Sequence, residues 1–350
     1  TVDIATARSE FYRAPAALPE VRTSALRQDL YRRDFTINTL AIHLGPEEGY
    51  ELIDYFGGQR DLKEGVLRVL HSLSFLDDPT RVLRAVRLAQ RLDFAIAPET
   101  LRLIEVALGE GVFDRLSGSR LRDELRLLLD EPDTGVRALE RLDELGVLQA
   151  LHPDLRLTPS RLHDLRQARA SWEWYRLEGL DDPPVRLWML LLASLAAELP
   201  PWERGRLAAR LHLPQRDQEL LRGVGERLRQ AESLLVGPGP RPHQVRAALA
   251  PLSGEETLLL MAGGGERVRA WVRRDLVELR RVELVVRGAD QLAGGCPPGP
   301  WVGAALRATL AARLDGEIGP QDELAYALRV CRQEQERQRP SETTGGGEGP

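Results

Sequence analysis

The stretch Asp77-Asp78-Pro79-Thr80-Arg81-Val82-Leu83-Arg84-Ala85-Val86-Arg87-Leu88-Ala89 decides how the rest of the chain is read. Pro79 suits the first turn of a helix, where its missing N–H costs nothing, and Asp78 suits the cap before it. At about 100° per residue, Val82, Ala85, Val86, Ala89 and Leu92 share one side, while Arg81, Arg84, Arg87 and Arg91 fall in an opposite sector roughly 120° wide. One face is built to pack, and the other is a ladder of guanidinium groups rising from an acidic cap. A solvated helix laced with Arg–Asp pairs is the plain reading of that ladder, and a ligand-facing surface is the other. Asp181-Asp182-Pro183 also precedes an apolar stretch, and there it reads as a cap alone.

Downstream, helical spacing dominates. Leu121, Leu125 and Leu128 repeat on one face, with Ser119 as N-cap and Asp123 and Glu124 early in the helix. Gly237-Pro238-Gly239-Pro240, Gly263-Gly264-Gly265 and residues 294–300 read as loops between helices. Upstream the period changes. Val2-Asp3-Ile4-Ala5-Thr6 and residues 35–42 alternate like strands, and Tyr50-Glu51-Leu52-Ile53-Asp54 is a strand entering a tight Gly57-Gly58 turn. The predicted fold class is α+β, a small mixed sheet with helices followed by a long all-α body.

Composition narrows the function. Of 350 residues, 43% are hydrophobic and 29% charged, enough for a substantial core and too apolar for wholesale disorder. A formal net charge of -5 excludes a polycation that coats nucleic acid, so any such site must be a local basic face. Lys63 is the only lysine among 48 basic residues. Coding bias explains that, although guanidinium forks also suit phosphates and base edges. Cys296 and Cys331 are too few for a disulfide framework or a zinc cage, which fits a reducing compartment. The longest apolar run, residues 187–197, falls short of the ~20 residues that span a bilayer, and no charged-then-apolar leader opens the chain.

Two further segments carry chemistry. Arg32-Arg33-Asp34 leads straight into the alternating run, placing two cations and a carboxylate at a sheet rim, where a structural Arg–Asp pair is the alternative to a ligand site. Asp3, flanked by Val2 and Ile4, reads as a metal ligand or a salt-bridge partner. Trp172-Glu173-Trp174-Tyr175 reads as helical core or rim, with stacking on RNA bases as the other reading.

In order and spacing these segments resemble the class II tRNA nucleotidyltransferase and bacterial poly(A) polymerase family. The matching pieces are residues 3–10, residues 32–38, Leu52-Ile53-Asp54 with Phe56-Gly57-Gly58 and Asp61-Leu62, and Asp77-Asp78-Pro79-Thr80-Arg81 with Leu83-Arg84-Ala85. Gly288-Ala289-Asp290-Gln291-Leu292 and Pro298-Gly299-Pro300 are more loosely similar to the tail of the CCA-adding members. The resemblance implies transfer of C and/or A from CTP and ATP to the tRNA 3′ end, with CC-only, A-only or poly(A) addition as alternatives. It implies Mg2+ as metal and Asp3 as a catalytic carboxylate holding it. Arg32, Arg33 and Asp34 would serve sugar and phosphates, Asp34 choosing ribose through its 2′-hydroxyl. Asp78 and Arg81 would read the base, and Arg84 and Arg87 would contact the nucleotide. A carboxylate accepting from an exocyclic amine beside a guanidinium donating to a ring nitrogen admits cytosine and adenine and rejects uracil and guanine.

On the same resemblance, residues 1–70 are a nucleotidyltransferase head, 71–150 a helical neck carrying the base reader, 151–339 a tRNA-binding body and tail, and 340–350 a disordered end. The expected partners are tRNA, CTP and ATP, with no DNA and no membrane, in the cytoplasm. The family opens with a Gly-rich turn and an Asp-x-Asp pair that binds the metals, and no such segment precedes Val2. The expectation is an N-terminally incomplete head, with a non-catalytic RNA-binding remnant as the rival reading.

Overall fold

The computed structural model describes residues 4–45 and 49–338; Asp3 and the segment 340–350 lie outside the described residues. The N-terminal part consists of short ribbons and helices. β1 (Arg8–Phe11) pairs antiparallel with β2 (Glu20–Thr23), Arg8 opposite Thr23, and α1 (Leu26–Tyr31) follows. Residues 4–7 are not strand, because the pairing with β2 begins only at Arg8. The strand expected over 35–42 is also corrected. Thr36–Asn38 is a 3-10 turn, and only β3 (Ala41–Gly45) is extended. The Thr36 hydroxyl donates to Asp61 at 2.7 Å and the Thr39 hydroxyl to the Thr36 carbonyl at 2.7 Å. Short polar side chains thus pull the backbone into a turn that alternation alone does not reveal. β3 pairs with β4 (Gly49–Ile53), setting Ile42 opposite Leu52 and Leu44 opposite Tyr50, all four exposed.

The glycine pair does mark a turn. Gly57 has φ +76°, and the Asp54 carboxylate accepts from the N–H groups of Gly58 at 2.8 Å and Gln59 at 3.0 Å, opening α2 (Gly58–Glu64). A Cβ on Gly58 would stand 2.5 Å from the Thr36 carbonyl oxygen. β5 (Val66–Leu67) and β6 (Ala95–Ile96) form a parallel pair, and between them lie α3 (Ser74–Asp77) and α4 (Thr80–Leu92). Of the packing face expected for α4, Val82, Ala85, Val86 and Ala89 are buried, whereas Leu92 in the last turn is exposed and Leu83 is buried in its stead. Asp78 keeps its capping role, its Oδ1 accepting the Thr80 N–H at 3.0 Å.

Helices then run without further strands: α5 (Pro98–Gly109), α6 (Val112–Arg115), α7 (Gly118–Leu129), α8 (Gly135–Glu144), α9 (Val147–Leu151), α10 (Pro159–Leu177), α11 (Leu187–Leu195), α12 (Pro201–Arg210), α13 (Gln215–Val236), α14 (Pro242–Leu249) and α15 (Gly254–Gly263). α4 packs on α7 and α8, and α10 packs on α11 and α15. α7 begins at Gly118 rather than after Ser119. The chain enters against the Arg210 carbonyl, where an added Cβ would lie 2.2 Å away, so the glycine sets the start. α11 begins beyond Pro183 with Arg186 at its N-cap, so Asp182 does not cap it. No described helix is long and apolar enough to cross a membrane.

By packing, residues 1–226 with 253–263 form one compact unit and residues 227–252 with 264–350 another. The second contains α14, α16 (Glu266–Val277), α17 (Gly288–Ala293), α18 (Pro300–Leu314) and α19 (Glu323–Gln338). Its cysteines are not free thiols. α18 and α19 pack together, and Cys331 is bonded to Cys296 with Cα atoms 6.3 Å apart, beside Ala305, Trp301 and Leu328. Two cysteines make no framework, but they make one staple, and the reading of reduced thiols is corrected accordingly.

Gly58→Ala is expected to destabilise the protein by about 1–3 kcal/mol, since the atom it meets is backbone and moves only with the Thr36 turn. A lower urea midpoint at unchanged slope is the measurement, and an unchanged midpoint contradicts the close approach.

Candidate functional site

Helix geometry brings the singled-out residues to one place. A cavity of about 470 Å³ is lined by Arg32, Arg33 and Asp34 after α1, by Asp78, Thr80, Arg81 and Arg84 at the start of α4, by Arg120, Asp123 and Glu124 on α7, and by Glu10 and Tyr12 near β1. Arg87 stands one turn further along α4, its Nη2 3.9 Å from Glu124. The ladder is covered at its start and solvated at its end: Arg81 is only 3% exposed, whereas Arg91 is exposed.

Each charge is held by another. Arg84 donates from Nε to Asp34 Oδ2 at 2.7 Å and from Nη1 to Glu124 at 3.0 Å. Burial works against the Arg84 charge, but Asp34 and Glu124 outweigh it and raise its pKa. Arg81 donates to the Ser74 hydroxyl at 2.8 Å and to the Arg32 carbonyl at 2.7 Å. Its Nε lies 3.3 Å from Asp34 Oδ1 but out of line for a hydrogen bond, so this buried donor is unspent.

Asp78 and Arg81, expected to read the base together, both line the cavity. Asp78 Oδ1 accepts from Arg120 Nη2 at 2.8 Å and from the Thr80 hydroxyl at 2.6 Å, while Oδ2 has no partner among the described residues. Arg120, Glu124 and Glu10 were not read as site residues. Glu10 ends the first resembling segment and Glu124 was visible only as an early helical acid, whereas Arg120 gave no signal of its own.

Behind the cavity, Asp29 organises the two leading arginines. It is 7% exposed and accepts from the Arg8 N–H at 3.0 Å, from Arg32 at 2.9 and 3.1 Å, and from Arg33 at 3.0 Å. Arg32 also reaches Glu10 at 2.8 Å. Burial tends to raise the Asp29 pKa, yet these hydrogen bonds prevail and bring it down to about 2. Tyr12, donating to Glu10 at 3.2 Å, is pushed up to about 12 by burial, against the pull of Arg81 and with Glu10 adding to it.

The fit to a metal fails within this cavity. The described residues contain no group of three His, Cys, Asp or Glu side chains that could hold an ion. Glu10, Asp34, Asp78 and Glu124 are each engaged by guanidinium groups instead, and Asp3 lies outside the described residues.

Comparison with known proteins gives this arrangement a family. The Poly A polymerase head domain matches residues 1–68, and the probable RNA and SrmB-binding site of polymerase A matches residues 93–157. The CC-adding tRNA nucleotidyltransferase of Deinococcus radiodurans is 33% identical over 328 residues, covering 94% of this chain and 72% of that protein. The A-adding tRNA nucleotidyltransferase of Geobacter sulfurreducens is 39% identical over 337 residues, 94% of this chain and 38% of that protein. Among solved structures, the Thermotoga maritima CCA-adding enzyme complexed with tRNA superposes with a TM-score of 0.75 at 30% identity, covering 91% of this chain and 77% of that one. The chain belongs to the tRNA nucleotidyltransferase family. It spans 38% and 35% of the length of the A-adding relatives from Geobacter sulfurreducens and Aquifex aeolicus.

Asp29 supplies a pH test. Its folded pKa is below its ordinary 3.8, so its stabilisation is complete above about pH 4 and fades as pH falls through about 2. The full shift corresponds to about 2 kcal/mol, and screening by cavity water reduces it to about 1. Asp29→Asn is expected to lose that much at pH 7 and to flatten the acid limb of stability against pH. An acid limb as steep as the parent's would exclude Asp29 as its source.

Proposed function

We propose that this chain selects the nucleotide and holds the RNA in template-independent addition of C and/or A to the tRNA 3′ end from CTP and ATP. The observation that carries the reading is the cavity at the start of α4, where Asp78, with a carboxylate oxygen that no described residue meets, and Arg81 line one space. Asp78 accepts from the exocyclic amine of cytosine or adenine, held at the cavity by Arg120. The Arg81 guanidinium donates to the neighbouring ring nitrogen. Uracil and guanine offer a carbonyl where the amine is needed, leaving the carboxylate facing another acceptor. Asp34, fixed by Arg84, takes the ribose 2′-hydroxyl, and Arg32 and Arg33 meet phosphate oxygens with the donors they do not spend on Asp29.

In the reaction this reading implies, the RNA 3′-oxygen bonds to the α-phosphorus and the bond to the departing pyrophosphate breaks. A divalent metal, Mg2+ in this reading, would supply charge stabilisation there, held by carboxylates other than those of this cavity. Asp3 is the only ligand the sequence assigns to it, and no step here is routed through it. The cytoplasm, where tRNA is available, is the location that follows, and the Cys296–Cys331 bond lends it no support.

Addition of A alone is the second reading. It is favoured by A-adding relatives that are 39%, 34% and 44% identical over 337, 292 and 153 residues. Incubation with tRNAs ending before the first C, after C and after CC, each offered CTP, ATP or both, separates the two readings by the nucleotides gained.

Equilibrium dialysis tests the base reader without turnover. CTP and ATP are expected to bind at least tenfold better than UTP and GTP, and Asp78→Ala to remove most of that preference, as loss of one base-edge contact worth ~1–3 kcal/mol requires. A preference that survives the substitution removes Asp78 from the reader.

A further inference from the structure

Nucleotide selection leaves a second cavity unexplained. It has a volume of about 560 Å³, and α7 separates it from the first, with Asp123 lining both. α7 contributes Arg122 and Arg126, α10 contributes Trp172 and Arg176, and the start of α11 contributes Arg186 and Trp188. All of these belong to one compact unit.

The cations there are not equivalent. Arg186 is held by carboxylates, its Nε donating to Glu255 at 2.8 Å and its Nη1 to Asp217 at 3.0 Å, with Nη2 2.8 Å from Asp217 Oδ1 but out of line for a hydrogen bond. Arg122 holds Asp123 and the His212 carbonyl. Arg126, by contrast, has one long contact of 3.5 Å to Asp130. Arg176 has no carboxylate partner among the described residues, and its guanidinium lies over the half-buried Trp172 ring, 5.4 Å from the centroid. The wall therefore presents a flat aromatic platform flanked by two underused guanidinium groups. Aromatic faces take any base by stacking, and guanidinium groups take the phosphate that accompanies it. Arg176 is exposed, so it can leave the indole for a phosphate without stranding a buried charge.

We propose that this cavity is a subsite for one unpaired nucleotide of the RNA acceptor, its base against Trp172 and its phosphate between Arg126 and Arg176. The proposal rests on the nucleotidyltransferase reading: an RNA end in the first cavity has the second beside it across α7, where Asp123 lines both. The same subsite gives the Trp172 cluster a role that nucleotide selection does not use.

The test uses two acceptor-stem hairpins, one ending in two unpaired cytidines and one cut blunt, with affinities read by fluorescence anisotropy and CTP affinity read separately. The parent is expected to prefer the tailed hairpin. Trp172→Ala should weaken tailed binding roughly tenfold, leaving the blunt hairpin and CTP unchanged, and Trp172→Phe should restore it to within about threefold. Arg176→Ala should lower the slope of log affinity against log salt by something approaching one for the tailed hairpin only. The proposal is overturned if Trp172→Ala binds both hairpins as the parent does, or weakens them equally. Should the alanine variant fail to fold, a phenylalanine variant without tail preference overturns it instead. Failure of the nucleotidyltransferase reading looks different: CTP and ATP lose their advantage over UTP and GTP in the parent, while a Trp172-dependent tail preference stands.

Discussion

A guanidinium group cannot shed its proton to enter a protein interior, and the N-terminal unit is organised around that constraint. Each arginine that α4 turns inward must be met by a carboxylate or a carbonyl. Asp34 meets Arg84 from fifty positions earlier in the chain, and Glu124 meets it from forty positions later. Three stretches of sequence are thereby tied to one side chain. They are held by charge at a distance that apolar packing would have closed, and the cavity is the space left between them.

The arrangement couples recognition to folding. Removing one member of an ion pair in the cavity wall leaves the other charge without its partner, so the residues proposed to meet the nucleotide are also those that hold the wall. A preorganised site follows. Asp78 is fixed by Arg120 and by its capping contact with Thr80, and Asp34 is fixed by Arg84, before any ligand arrives. What remains for a ligand includes the Asp78 oxygen that neither Arg120 nor Thr80 occupies.

The two faces of α4 were legible because thirteen residues sample the helical period several times and Asp78-Pro79 marks the start. Residues 32–34 and 78–84, which line the cavity, were legible too, by their order along the chain, whereas the α7 stretch was not. Partnerships across the chain were not. Nothing local announces that Arg120 meets Asp78, that Thr36 donates to Asp61, or that Cys331 finds Cys296. Each depends on helices docking first: α7 beside α4, α2 beside the Thr36 turn, α19 along α18. The same holds for Arg81, whose place on the polar face suggested exposure. Ser74 and the Arg32 carbonyl cover it, and both come from outside the helix.

The arginine lining also fixes how the site responds to chemistry from outside. A cavity walled by lysines would lose charge in strong alkali and would be open to acylation, methylation and aldehyde condensation. The cations of this one keep their protons past any pH at which the chain stays folded, and none is an amine. An amine-directed label would find a single side chain, Lys63 on α2, and pass over every cation that lines either cavity.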